Sequence, residues 1–181
     1  MNFCSHCGAQ ALEFRIPEGD LKPRYVCGQC GYIHYQNPKS VVGTLSRWQD
    51  QVLLCRRAIE PRYGLWTLPA GFLEIGESIG EGARRETQEE ANAAVVLDRL
   101  YTVITLPKIG QLHLMFLADL PQPEFSAGAE SLEVRLFDEE DIPWEAMAFR
   151  TVSRTLRCFF RDRLQIRQKA LSEFPLRVSV L

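Results

Sequence analysis

Between Gly71 and Ala93 the chain reads GFLEIGESIGEGARRETQEEANA, and its carboxylates recur at a spacing that could hold a metal ion. A helix starting near Ser78 puts Glu86, Glu89 and Glu90 at i, i+3 and i+4, on one face. Like charges at that spacing repel and weaken a helix by about 0.2–0.5 kcal/mol per pair. A chain that clusters three acids there has something positive for them to hold, and hard divalent cations such as Mg²⁺ are the usual occupants of oxygen-rich sites. The bland reading is an acidic face turned to solvent. The helix is well marked. Ser78-Ile79-Gly80-Glu81 fits a capping box, and Ile79, Ala83, Thr87 and Ala91 make a narrow, mostly small face suited to close packing on a sheet. Asn92 tolerates the left-handed conformation of a C-terminal cap.

A second cluster of chemistry-bearing residues lies at the N-terminus. Cys4-x-x-Cys7 and Cys27-x-x-Cys30 are separated by 19 residues, each pair followed by glycine. Two such knuckles can offer four thiolates to one Zn²⁺. A segment of about 35 residues is too short to build its own apolar core, and a metal would replace one. Two disulfides, or His6 standing in for one thiolate, are the competing readings. Cys55 and Cys158 have no such partners and read as buried apolar residues.

The surrounding elements must position these groups. Ile16–Asp20 reads as a turn between ribbon strands and Tyr35–Pro38 as a linker. Ser40–Trp48 and Gln51–Arg57 read as a hairpin about Gln49-Asp50. Leu65–Leu68, Leu97–Leu106, Gln111–Leu120 and Ser131–Phe137 are further strands, and Gly71–Gly76 is a loop. Helical patterns cover Asp138–Ile142 and Ala146–Arg163, the second carrying Val152, Leu156, Phe159 and Phe160, with Leu164 just beyond. Leu176–Leu181 could add a strand. The fold class is therefore α+β. Residues 1–35 form the metal module and 36–181 the main domain.

The acidic segment resembles the Nudix box, G-x5-E-x7-R-E-U-x-E-E-x-G-U with U an aliphatic residue. Gly71, Glu77, Arg85, Glu86, Glu89 and Glu90 match. Thr87, Asn92 and Ala93 depart, at positions of packing and capping rather than acidity. The likeness extends from the cysteine ribbon through QNPK, VLLCRR, GLWTLPAGFLE and ESLEVRLF, over roughly residues 3 to 165, and is similar to the zinc-ribbon Nudix subgroup that includes plant FAD and ADP-ribose pyrophosphatases. The resemblance implies a Nudix α/β/α sandwich with a mixed sheet, preceded by a small zinc ribbon. It also implies Mg²⁺ or Mn²⁺ held by Glu86 and Glu90, with Glu89 and the carbonyl of Ala70. Arg85 would orient Glu86, Glu77 would support the loop, and Glu130 would be a late ligand or base, with Glu133 the alternative. NADH pyrophosphatases of the superfamily carry an SQPWPFPxS motif after the box, where this chain reads YTVITLPKIGQLHLMF. Pro107 lies near the place of a proline found in ADP-ribose pyrophosphatases.

The implied reaction is attack of water on a phosphorus of a nucleoside diphosphate linked to a second group. Trp66 and Phe72 could stack on adenine or flavin, or belong to the core. Arg56 is the candidate phosphate contact of the Arg56-Arg57 pair. The chain carries 21 Lys and Arg against 23 Asp and Glu, a formal charge of −2, so it has no basic field for nucleic acid. It has no apolar run long enough for a bilayer, and MNFCSHCG is no targeting signal. The expectation is a cytoplasmic homodimeric enzyme acting on a small molecule, with no nucleic-acid or membrane partner. An NADH pyrophosphatase, and a ligand-sensing or nucleic-acid-binding regulator, are the alternatives. Such regulators usually lose box acids, and all are present here.

Overall fold

The computed structural model describes all 181 residues, which divide into two units, Met1–Asn37 and Pro38–Leu181. In the first, strands β1 (Leu12–Arg15), β2 (Arg24–Cys27) and β3 (Ile33–His34) form an antiparallel sheet. The two cysteine knuckles repeat one geometry. Gly8 N donates to Cys4 O and Gly31 N to Cys27 O, both at 2.8 Å. Gly8 and Gly31 have φ of 76° and 73°, which a residue with a Cβ adopts only at a cost.

The second unit is built on an eight-stranded mixed sheet. Its strands are β4 (Lys39–Trp48), β5 (Gln51–Arg57), β6 (Trp66–Thr67), β7 (Ala70–Phe72), β8 (Val96–Leu106), β9 (Gln111–Asp119), β10 (Ser131–Phe137) and β11 (Arg177–Val180). The main order is β10-β5-β4-β9-β8-β11, with β6 on β5 and β7 on β4. β4 runs parallel to β9 and β11 parallel to β8; the other pairings are antiparallel. Helix α1 (Ile79–Ala91) and helix α2 (Arg150–Arg167) cover opposite faces. The alternation of neighbouring strand residues shows this. Leu54 and Leu117 pack with Val152, Leu156 and Phe159 of α2, whereas Leu53 and Cys55 pack with Ala91 of α1, and Leu114 with Ala83. The result is a three-layer α/β/α sandwich.

α1 forms as its caps dictate. Ser78 Oγ accepts from Glu81 N while Glu81 accepts from Ser78 N, and Asn92 ends the helix at φ 46°. Its small face, Ala83, Thr87 and Ala91, is fully buried. Thr87, where an aliphatic residue was the pattern, joins a buried hydroxyl chain with Thr44 (2.7 Å) and, through it, Ser46 (2.8 Å).

Three local expectations change. Gly71-Phe72 is strand rather than loop, because β7 pairs with β4. Residues 138–142 give only a 3-10 turn, Glu139–Asp141. α2 starts at Arg150, not Ala146. Met147 bridges to Trp66 and Ala148 N donates to Trp66 O, so these residues lie extended beside β6 and cannot be helical. Leu164, aligned with the apolar stripe, is 55% exposed, on a part of α2 that runs past the core. No helix is long and apolar enough to cross a membrane.

Candidate functional site

The carboxylates of α1 open onto a cleft of about 1200 Å³ in the second unit. Its lining includes Ala70, Gly71, Phe72, Arg85, Glu86, Glu89, Glu90 and Glu130. Gly71 is needed for this arrangement: β7 runs so close to α1 that a Cβ there would strike the Glu86 carboxylate.

Arg85 organises the acids. It donates two hydrogen bonds to Glu77 (2.8 and 3.0 Å), one to Glu86 (2.7 Å), one to Glu89 (3.0 Å) and one to the carbonyl of Phe72 (3.1 Å). All five N–H directions of the guanidinium are thereby engaged. Those bonds hold the Glu77 carboxyl down to about 2, first through Arg85 and then through the amide of Glu74, and they raise Arg85 further above its ordinary value. Glu77 thus ties the loop before α1 to the helix.

Glu90 sits differently. It is 6% exposed, and the only hydrogen bond to its carboxylate comes from the backbone N–H of Ala70 at 3.3 Å. Burial above all pushes its carboxyl up to about 8; the Ala70 amide opposes this, and the neighbouring Glu86 and Glu130 add to it. Burial also raises Glu86, with Arg85 opposing. The site therefore concentrates negative charge that the protein compensates only in part. An all-oxygen, anionic donor set of this kind suits a hard divalent cation. Ala70 lines the cleft, but the contact the structure shows for it is the N–H to Glu90, not its carbonyl.

Glu130 is placed by the end of α1. The C-terminal carbonyls of a helix have no partners within it. Here Gly128 N donates to Glu90 O (3.0 Å) and Ser126 N to Ala91 O (2.9 Å). The approach is so close that a Cβ on Gly128 would overlap the Glu89 carbonyl. The Asn92 amide adds bonds to Ser126 Oγ (3.1 Å) and Ala127 O (3.2 Å). Glu133, the alternative to Glu130, does not line the cleft; it lies across from Arg56, 3.8 Å from it.

The aromatic and arginine candidates separate. Phe72 lines the cleft and is half-exposed, with the Lys39 ammonium 5.3 Å from its ring centre. Trp66 is outside the lining; it packs edge-on against Phe137 in the core. Arg56 is outside too, donating to Gly64 O and facing Glu133. Its neighbour Arg57 lines the cleft instead. Val52, Leu53, Leu54 and Cys55 bury both faces of β5 ahead of the pair, so no polarity alternation in the sequence shows which arginine turns inward. Thr151 and Arg150 also line the cleft, and no local motif marks them.

In the first unit the sulfurs of Cys4, Cys7, Cys27 and Cys30 all lie within 4.8 Å of one another, unlike the carboxylates of α1. Cys7–Cys27 is 3.6 Å and Cys4–Cys30 3.8 Å, and all four thiols are free. Four sulfurs at about 2.3 Å around Zn²⁺ would be about 3.8 Å apart, so the cluster fits a closed tetrahedral site. The backbone amide of Cys30 helps bring the Cys27 thiol down to about 7, whereas, against the Ala9 amide, the neighbouring thiols push Cys7 up to about 12, so a cation is needed for all four to ionise together. His6 is not in the cluster; it stacks on Tyr32.

Comparison with known proteins gives a family for each part of the chain. Residues 2–36 match the Nudix N-terminal zinc-ribbon family and residues 37–156 the NUDIX domain family. A curated relative, the NAD-capped RNA hydrolase NudC of Photobacterium profundum, is 30% identical over 133 residues, which is 72% of this chain and 47% of that protein. The ADP-ribose pyrophosphatase of Methanocaldococcus jannaschii is 28% identical over 116 residues, 62% of this chain and 69% of that one. The chain thus spans about half the length of the NudC relatives it matches. Among solved structures, a NUDIX hydrolase from Nitrosomonas europaea superposes with a TM-score of 0.92 at 47% identity, over 100% of this chain and 99% of that one. An ADP-ribose pyrophosphatase from Streptococcus suis, 20% identical, shares the fold with a TM-score of 0.62, over 80% of this chain and 100% of that one. With the acid helix, the sandwich and the cysteine module all matched, the chain belongs to the Nudix hydrolases, in the form that carries an N-terminal zinc ribbon.

Proposed function

We propose that this chain hydrolyses the pyrophosphate bond of nucleoside diphosphates linked to a second group, with ADP-ribose and FAD as the foremost substrates. The products are AMP and ribose 5-phosphate, or AMP and FMN. The observation that supports this best is the buried Glu90, beside Glu86 and Glu130, in a cleft large enough for both halves of such a molecule.

In this reading Glu86 and Glu90 would hold Mg²⁺ or Mn²⁺, with Glu89 and the Ala70 carbonyl as further ligands, and the ion when bound would supply charge neutralisation for the diphosphate and Lewis acidity toward the attacking water. Arg85 keeps Glu86 in place. Glu130 accepts a proton from the attacking water or joins the ligand set. The water oxygen bonds to phosphorus, the bridging P–O bond breaks, and the bridging oxygen leaves with the second phosphate. Phe72 offers a face for a planar ring. The phosphate contact passes from Arg56 to Arg57, because only Arg57 reaches the cleft.

A second reading is hydrolysis of NADH or of the NAD cap of RNA, favoured by the similarity to proteins named NAD-capped RNA hydrolase. The bond broken is of the same type, so pockets away from the acids decide between substrates, at about 1–3 kcal/mol per missing contact. The test is kcat/KM for ADP-ribose, FAD, NADH, a dinucleoside polyphosphate and an NAD-capped oligoribonucleotide under one metal condition. ADP-ribose or FAD should lead. A clear preference for NADH or the capped RNA selects the second reading and brings in the nucleic-acid partner that the charge balance argues against.

A further inference from the structure

We propose that the first turn of α2 and the Arg57 guanidinium form an anion subsite that takes a phosphoryl group of the substrate; this rests on the reading of the cleft as a pyrophosphate-hydrolysing site. The start of α2 is unusually bare. Its N-cap is Phe149, which has no capping atom, and its first turn contains no acid. The first hydrogen bond into this end runs from Ser153 N to Phe149 O at 3.2 Å. The amides of Arg150, Thr151 and Val152 therefore have no helical partner, and such an end carries about half a positive charge.

Two buried side chains point to what would fill it. Thr151 is 4% exposed, its hydroxyl makes no hydrogen bond within the protein, and it lines the cleft. The hydroxyl opens into the cleft, where a water or a ligand oxygen can bond to it. Arg57 is 9% exposed and also lines the cleft. It donates from Nε to Pro61 O at 2.9 Å and lies 5.2 Å over the ring of Phe149, the N-cap residue itself. Its terminal nitrogens bond to nothing in the protein, and it forms no ion pair, although its charge is felt at Glu90. Arg150 is exposed in the same cleft. A guanidinium held against a free helix N-terminus, with a donor hydroxyl beside it, matches the oxygens of a phosphate ester. The acid helix cannot serve that end of a diphosphate directly, since its own charge repels phosphate. The subsite supplies positive charge that belongs to the protein.

The experiment separates this subsite from the reaction. Inorganic pyrophosphate is titrated by calorimetry into the full-length protein dialysed free of magnesium and manganese. Wild type should bind. Thr151→Val should weaken binding about fivefold and Arg57→Gln at least about tenfold, with Arg57→Lys recovering part of the loss. KM for the best substrate should rise in parallel, with kcat moving less. Should Arg57→Gln unfold, Thr151→Val and Arg150→Gln decide. No binding by wild type, or unchanged binding and KM in the folded variants, overturns the subsite. A protein that binds pyrophosphate through Thr151 and Arg57 yet cleaves no substrate of the panel would remove the proposed function and leave the subsite standing.

Discussion

At the scale of single residues, the acids of α1 differ in what they are free to do. Glu77, Glu86 and Glu89 share one arginine, whereas Glu90 is buried with a single amide for company. Glu86→Gln or Glu90→Gln should each reduce turnover by at least about 100-fold with the fold intact, measured by steady-state kinetics beside circular dichroism. In protein free of divalent ions Glu90→Gln should also raise Tm by a few degrees, roughly what removing about 1 kcal/mol of uncompensated buried charge gives. Activity within a few-fold of wild type would remove these acids from the reaction. Glu130 and Glu133 form a second comparison. Glu130→Gln should lower kcat far more than it changes KM, and Glu133→Gln should do little, because Glu133 faces Arg56 away from the cleft. The reverse ranking would transfer the role.

At the scale of elements, two joints carry predictions. The segment 126–128 is fastened to the end of α1 by Asn92, whose amide bonds to Ser126 and Ala127. Asn92→Gly keeps the left-handed cap and removes the fastening. It should cost about 1 kcal/mol, and amide exchange should quicken over residues 125–130 with little change elsewhere. Uniform exchange would show that Asn92 is a cap and nothing more. The second joint is Asp162, fully buried on α2, which accepts from Tyr101 (2.9 Å) and from Arg177 of β11 (2.8 and 2.9 Å). Burial alone would raise its carboxyl, but bonds led by Arg177 win and hold it below the ordinary 3.8. A depressed folded value contributes stability above the unfolded pKa and loses it as pH falls through the folded one. Asp162→Asn should therefore lower Tm at pH 7, and the gap to wild type should narrow as pH drops below about 4. A gap constant with pH would mean that packing, not charge, holds β11.

At the scale of the molecule, the two units are stabilised in different ways. The second has a core with α2 on one face of the sheet and α1 on the other, while the first has four thiols where a core would be. Protein purified without added metal should contain about one zinc per chain. Removing it should abolish the ordered structure of residues 1–37 while the second unit keeps its cooperative transition, as heteronuclear NMR would show. Absence of zinc, with the cysteines oxidised in pairs, would overturn this.

The sequence by itself determined whatever depends on near neighbours in the chain. The capping box at Ser78, the i, i+3, i+4 acids, the Asn92 cap and the paired CxxC knuckles are spacings over at most a few turns, and local geometry converts them directly into structure. The longer strands were legible for the same reason, whereas β7 shows only through its pairing with β4. What only the tertiary structure decided depends on residues far apart meeting. That Arg57 rather than Arg56 reaches the cleft is one case: Val52–Cys55 bury both faces of β5, so strand alternation gives no polar side to read. Trp66 packs against the core because Phe137, 71 positions on, meets it edge-on. α2 begins late because Trp66 draws Met147 and Ala148 into an extended path, overriding a pattern that favoured helix. Thr151 acquires its meaning only from Arg57, which a fold of this topology carries to the start of α2. Helical and cap signals are written within a turn of the residues they govern; the partner of a side chain across a sheet is not, since it is chosen by the packing of the whole.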